Sequence, residues 1–100
     1  MNIFKKIIQA CSSSENQRAK TFLIKAGFME YMTNRWRKNL NGHITIFCHL
    51  EEEIEFSANF NVTASDGITK QGSIPPKRMS AQKYEDGLKD IVEEIQRRIL

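Results

Sequence analysis

The sequence has few of the residues that mark specialised classes of protein. Its 100 residues include two cysteines, two prolines and one tryptophan, and its five glycines form no phosphate-binding motif. No apolar run approaches the roughly 18 residues that a membrane-spanning helix needs. Lys5 and Lys6 stand too close to Cys11 for a secretory leader, whose apolar region takes about 7 to 15 residues. We therefore expect a cytoplasmic protein that has reduced thiols and no membrane partner.

Basic side chains are missing from the middle of the chain. Residues 44–68 contain no Lys or Arg and have a net charge of −5, whereas residues 1–43 carry +6 and residues 69–100 carry +2. Such an asymmetry can steer an anionic partner toward the N-terminal half, although a solvated surface is the simpler interpretation. The length predicts a single domain over residues 1–100.

Two helices are predicted in the N-terminal third. The apolar residues of 3–11 fall on one helical stripe, which indicates a short amphipathic helix. Ser14 and Gln17 form a capping box that begins a second helix. Its buried stripe is expected to comprise Ala19, Phe22, Leu23 and Ala26. Gly27 is the expected cap at its C-terminal end, with Phe28 as the accompanying apolar contact.

Alternating apolar and polar residues predict an antiparallel sheet in the second half of the chain. The alternation runs over 43–50 and 54–64, so one face of each strand is buried and the other is solvated. The expected buried face includes Ile44, Ile46, Phe56 and Phe60, and the expected open face includes Phe47, Asn59 and Asn61. A weaker strand over 68–74 suits an edge position, and Pro75-Pro76 is expected to end the sheet.

The C-terminal segment predicts a long amphipathic helix. Ser80 is its expected N-cap, and one apolar stripe comprises Tyr84, Leu88, Ile91, Val92, Ile95 and Ile99. The predicted fold class is α+β. It is a two-layer sandwich in which the N-terminal helices and this C-terminal helix cover one face of an antiparallel meander of three to four strands.

Residues 28–40 fit either a helix or a strand. A helix would align Phe22, Met29 and Trp36, whereas the Asn41-Gly42 pair is a strong hairpin signal that favours a strand. We favour the strand.

Two registers of that hairpin remain open. A loop of 41–42 points Arg35 and Arg37 toward the core, where unpaired charge is costly. A loop of 40–42 instead pairs Trp36 with Ile46 on the core side, and the two arginines face outward beside Phe47 and Thr45. We favour this second register.

No set of residues predicts catalysis. Cys48 and His49 are adjacent on a strand, so they point to opposite faces and cannot form a thiolate and imidazole pair locally. Cys48 is better interpreted as a core residue, and its pairing with Cys11 stays open. His43, His49 and Glu51 could share the solvated face, but they lack the ligand set of a structural zinc site. We predict no metal and no cofactor, and we favour a binding protein over an enzyme.

The segment 35–38 is the strongest functional feature, because it combines basic and aromatic side chains. The candidate binding surface comprises Tyr31, Arg35, Arg37, Lys38, Phe47 and His49. Our first hypothesis is a non-enzymatic interaction or regulatory module that binds a protein partner, or a second copy of itself, through an open sheet face or edge. The alternative is nucleic-acid binding, in which the basic side chains contact phosphates while Tyr31 or Phe47 stacks on bases.

Overall fold

The computed structural model describes residues 16–99. The predictions made for residues 3–11 and for Ser14 lie outside this range. A helix, α1, occupies 16–25. The elements that follow it are β1 (Met29–Met32), β2 (Arg35–Leu40), β3 (Ile44–Leu50), β4 (Glu53–Thr63), β5 (Thr69–Ser80), a 3₁₀ turn (Ala81–Lys83) and α2 (Tyr84–Ile99).

The five strands form one antiparallel sheet in the order β1-β2-β3-β4-β5. Both helices pack on the same face, where they bury the alternating apolar residues of β3 and β4 in a single cluster. Ile44, Ile46, Phe56 and Phe60 belong to that cluster, as their alternation predicted. The predicted α+β class is therefore confirmed, with five strands instead of three to four.

Residues 28–40 are extended, as we favoured, but they form two strands. Asn34 adopts a φ of 62°, a left-handed conformation that Asn tolerates better than most residues. Its backbone N–H donates a hydrogen bond to Oε2 of Glu30 at 3.1 Å. This tight turn folds β1 back onto β2, and it adds the strand that the sequence did not predict.

The predicted register of the β2–β3 hairpin is wrong by two residues, although the predicted faces are right. Leu40 pairs with Ile44, so the loop is 41–43. Asn41 and Gly42 both have positive φ, 49° and 80°, a conformation that Asn and Gly tolerate, and His43 N–H donates to the Leu40 carbonyl at 3.3 Å across the turn. A slip of two residues leaves every side chain on its predicted face. Trp36 therefore lies on the core side, opposite Cys48.

The prediction that Pro75-Pro76 ends the sheet is wrong. β5 continues to Ser80, and the register shifts between Phe56 and Ala58 so that the two prolines lie opposite the single residue Ser57. This is a β-bulge on an edge strand, the place in a sheet where proline is tolerated.

The predicted cap at Gly27 is confirmed, whereas Ser80 caps the 3₁₀ turn that precedes α2 and not α2 itself, which begins at Tyr84. Gly27 has a φ of 95°, and Phe28 N–H donates to the Leu23 carbonyl at 2.9 Å, as in a Schellman motif. The Ser80 hydroxyl accepts a hydrogen bond from Gln82 N–H and caps the 3₁₀ turn that leads into α2. Within residues 16–99, neither helix combines the length and the apolar character that crossing a bilayer requires.

Candidate binding surface

The outer face of the sheet carries four of the six candidate binding residues in two cross-strand rows. Residues directly opposite one another share a face, because side chains alternate along a strand. One row runs through Arg35, His49, Glu55 and Arg78. The next row runs through Met29, Arg37, Phe47 and Ser57. No helix of the described range covers these rows, since α1 and α2 both pack on the opposite face.

Tyr31, Arg37 and Phe47 contact one another at the centre of this face. The rings of Tyr31 and Phe47 meet edge to face with centroids 6.4 Å apart, and the guanidinium carbon of Arg37 lies 5.2 Å from the centroid of Tyr31. Both geometries are favourable for the aromatic quadrupole. The contacts join three separate strands, and they bring together the residues that the sequence identified.

Lys38 does not belong to this surface. It neighbours Arg37 in sequence and therefore points to the other face, opposite Ile46. There its ammonium group donates a hydrogen bond to the Ala26 carbonyl, and its stem lies against Gly27. A cation in this position complements the C-terminal end of the helix dipole. Lys38 thus holds α1 against the sheet.

His49 and Glu55 are engaged with charged neighbours. Nε2 of His49 lies 3.2 Å from Oε1 of Glu51. Nε of Arg78 donates to the Glu55 carboxylate, and this hydrogen bond raises the pKa of the Arg78 guanidinium. Arg35 and Arg37, in contrast, form no ion pair with any residue from 16 to 99. Positive charge is therefore available at the β2 end of the face.

Exposed apolar side chains are concentrated at the β1 edge. Within the described residues, four of the five large hydrophobic side chains that remain exposed lie between positions 24 and 32. They are Ile24 (62% exposed), Met29 (69%), Tyr31 (39%) and Met32 (60%). Met29 and Met32 are not among the binding residues predicted from the sequence. Their position on either side of Tyr31 is the signal that could have identified them, once the segment was accepted as a strand.

The two edges of the sheet differ in how they resist pairing with another strand. β5 contains Pro75 and Pro76 at a bulge, and it also carries three basic residues, Lys70, Lys77 and Arg78. Prolines, bulges and charged side chains all hinder the pairing of an edge strand with another chain. β1 contains neither proline nor lysine, and all four of its residues are exposed. In the described part of the chain no strand pairs with its outer edge.

The thiol and the His-Glu group that the sequence offered as candidates for chemistry have no reactive arrangement in residues 16–99. Cys48 is a free thiol only 2% exposed, and burial raises its pKa to about 12, so it is protonated and inert at neutral pH. His49 meets Glu51 but not as part of a ligand set, because the described residues hold no cluster of three metal-ligating side chains.

Comparison with protein-family models, with curated proteins and with solved structures finds no match, so functional inference depends on the geometry of this surface.

Proposed function

We propose that this chain is a non-enzymatic interaction module that binds a protein partner at the β1 edge and on the adjoining outer face of β2 and β3. The observation that carries the proposal is the concentration of exposed Met29, Tyr31 and Met32 beside Arg37 and Phe47. Tyr, Met, Phe and Arg are enriched in protein interfaces, and Tyr and Arg often dominate their binding energy.

The edge position of β1 supports the same proposal. A strand that exposes its backbone N–H and C=O groups offers hydrogen bonds to an added chain, and alternate side chains then supply specificity. β1 lacks the prolines and lysines of β5, although its own register with β2 also shifts between Glu30 and Met32. A buried free Cys48 accords with action in a reducing compartment, and we propose the cytoplasm.

Site-specific photocrosslinking in the native host tests this function. A photoreactive amino acid replaces Met29 in one variant and Lys83, an exposed residue of the 3₁₀ turn, in a control variant. We expect a discrete protein adduct from position 29 and none from position 83. Equal labelling at both positions, or no adduct at position 29, would contradict the proposal.

Nucleic-acid binding is a second candidate function, and one contact favours it. The Arg37 guanidinium lies over the Tyr31 ring beside Phe47, which forms a surface on which a base can stack, and Arg35 lies on the same face.

Salt-dependent binding of a fluorescent single-stranded oligonucleotide tests this second function. Each phosphate contact contributes about −0.7 to the slope of log K against log salt for a single strand. Arg35→Ala combined with Arg37→Ala should therefore reduce the magnitude of the slope by roughly 1.4. Binding that is independent of salt, or unchanged in the double variant, excludes this function.

A further inference from the structure

We infer that β1 accepts an extended acidic segment of a partner protein as a sixth strand of the sheet, with carboxylates of that segment facing Arg35 and Arg37. The inference rests on the proposed protein-binding function and specifies the chemistry of its partner.

A shallow, open groove lies between α1 and the β1–β2 hairpin, next to the C-terminal half of β1. It has a volume of about 380 Å³ and is lined by Lys20, Glu30, Tyr31, Met32, Thr33 and Asn34. Lys20 belongs to α1, so the helix forms one side of the groove and the β1–β2 hairpin forms the other. Neighbouring strands lie about 4.8 Å apart, so a strand added to β1 would pass beside this groove with its side chains on the α1 side directed toward it.

Positive charge surrounds this edge. Arg37 lies opposite Met29 and Arg35 lies opposite Met32, so each arginine is one strand away from the edge. An added strand would lie about 10 Å from the β2 backbone, a gap that an arginine and a glutamate side chain span together. The Glu30 carboxylate already accepts a hydrogen bond from Asn34 N–H within the hairpin. Lys20, Arg35 and Arg37 have no ion-pair partner in residues 16–99.

A second copy of the chain and the N-terminal residues 1–15 are the two other possible occupants of the β1 edge, and neither complements its positive charge. If a second copy of β1 pairs antiparallel about the centre of the strand, it places Glu30 opposite Glu30 or Tyr31 opposite Tyr31. The first arrangement opposes like charges, and both place the arginines of the two copies on one face. The N-terminal residues 1–15 carry two lysines against one glutamate, so this segment is also basic. An acidic segment from a different protein complements the edge.

Selection from a random library of 12-residue peptides displayed on phage tests the inference on the purified full-length chain. We expect enriched peptides to carry Asp or Glu at two-residue spacing, because that period places both carboxylates on one face of a strand. Val, Ile, Thr or aromatic residues should occupy the intervening positions. No enrichment, or enrichment of peptides without acidic residues, would overturn the inference.

Backbone methylation of an enriched peptide tests for strand pairing. Successive backbone N–H groups of a strand point alternately toward and away from its neighbour. Two peptides are compared, one N-methylated at the odd positions and one at the even positions. Methylation of the N–H groups that face β1 should abolish binding, and methylation of those that face away should leave binding nearly intact. Equal binding of the two peptides excludes strand addition.

Charge reversal tests the role of the arginines. Arg35→Glu with Arg37→Glu should weaken binding of the enriched peptide at least about tenfold, since two attractive contacts become repulsive. The control is Lys83→Glu with Lys89→Glu, which alters the net charge equally on exposed residues far from β1. Circular dichroism verifies that both variants are folded. An equal loss of affinity in the two variants, or none in the arginine variant, contradicts the inference.

The remaining outcomes separate this inference from the function on which it rests. If position 29 crosslinks to a protein but the library yields no acidic peptides, the proposed protein binding stands and the acidic strand is rejected. A concentration-dependent dimer mass in light scattering, lost when proline replaces Tyr31, would identify a second copy as the occupant and overturn the inference.

Discussion

The Cys48 thiol lies on the core side of β3, opposite Trp36 on one neighbouring strand and Phe56 on the other. Burial among apolar side chains penalises the thiolate, and the pKa of Cys48 rises from 9.0 to about 12. The thiol is therefore a packing residue whose ionisation opposes folding.

This shift predicts a loss of stability at alkaline pH. Between pH 9 and 12 the unfolded chain releases the thiol proton while the folded chain retains it, so the free energy of unfolding falls as pH rises. The slope attributable to Cys48 is at most about 1.4 kcal/mol per pH unit, and it fades below about pH 8, where the unfolded thiol is protonated as well. Urea unfolding from pH 7 to 11 measures it. Cys48→Ala should lose this component of the slope and Cys11→Ser should retain it. Equal slopes in all three proteins would contradict the assignment.

Gly87 shows how one residue sets the distance between α2 and the sheet. A Cβ at this position would lie 2.6 Å from Sδ of Met79 and 2.8 Å from Cδ2 of Phe56, closer than carbon contacts allow. Phe56 is 2% exposed, so its ring can move only by displacing its core neighbours. Glycine is needed here for close approach, although alanine is the better helix former.

Gly87→Ala is therefore expected to destabilise the protein. Overpacking of a core costs about 1–3 kcal/mol, and the higher helix propensity of alanine offsets about 1 kcal/mol of this. We expect a net loss of about 1 kcal/mol in the free energy of unfolding, measured in urea. The loss should be smaller in the double variant with Phe56→Leu, because leucine lacks the ring atoms that would contact the new Cβ. A stabilised Gly87→Ala protein would show that α2 lies further from the sheet.

At the scale of elements, Lys38 links β2 to the end of α1. Its ammonium group bonds the Ala26 carbonyl, which the Schellman turn at Gly27 leaves available. The sequence suggested that Lys38 would join the arginines in binding a partner. Its half-buried position on the core side instead gives it a structural contact.

Lys38→Met tests that contact, because methionine keeps an unbranched apolar stem and removes the charge. We expect a loss of about 1–2 kcal/mol in the free energy of unfolding, from one charged hydrogen bond and a helix-dipole interaction. Lys25→Met is the matched control, since Lys25 is an exposed residue in the last turn of α1. Similar small effects of the two substitutions would show that the hydrogen bond contributes nothing.

The proline bulge of β5 is the second feature at this scale. Pro75 and Pro76 remove two backbone donors from a strand of 12 residues that forms one edge of the sheet. A long regular edge strand is a template for aggregation, and the bulge interrupts it.

Pro75→Ala combined with Pro76→Ala should increase aggregation. Light scattering of concentrated protein at 37 °C measures its rate. A fall in stability could have the same effect, so Val62→Ala, a substitution of a half-buried β4 residue, serves as the destabilised control. The proline variant should aggregate faster than a control of equal or lower stability. If the two rates are the same, the bulge does not protect the edge.

For the molecule as a whole, α1, α2 and the sheet share one hydrophobic cluster. Leu23 of α1, Ile46 of β3 and Ile95 of α2 all belong to it. Elements that share a core unfold together in small proteins. We expect Trp36 fluorescence and far-ultraviolet circular dichroism to report the same urea midpoint, and Leu23→Ala to lower both midpoints together. Separate midpoints would contradict a single cooperative unit.

The sequence by itself determined the features that depend on local periodicity and turn chemistry. The period of two in β3 and β4, the amphipathic stripe of α2 and the cap at Gly27 each follow from a few neighbouring residues. These features are sufficient to derive the α+β class and the buried face of the sheet.

Only the tertiary structure decided which residues meet across the sheet. Pairing register, the bulge at Pro75-Pro76 and the division of 28–40 into two strands depend on contacts between strands, and hairpins of similar local energy compete for them. The binding surface followed the same rule. The sequence identified Tyr31, Arg37 and Phe47, and the fold brings these three side chains into contact. The fold also places Lys38 on the opposite face and exposes Met29 and Met32 at the edge. Sequence alone could not decide this, because face and edge are properties of the assembled sheet.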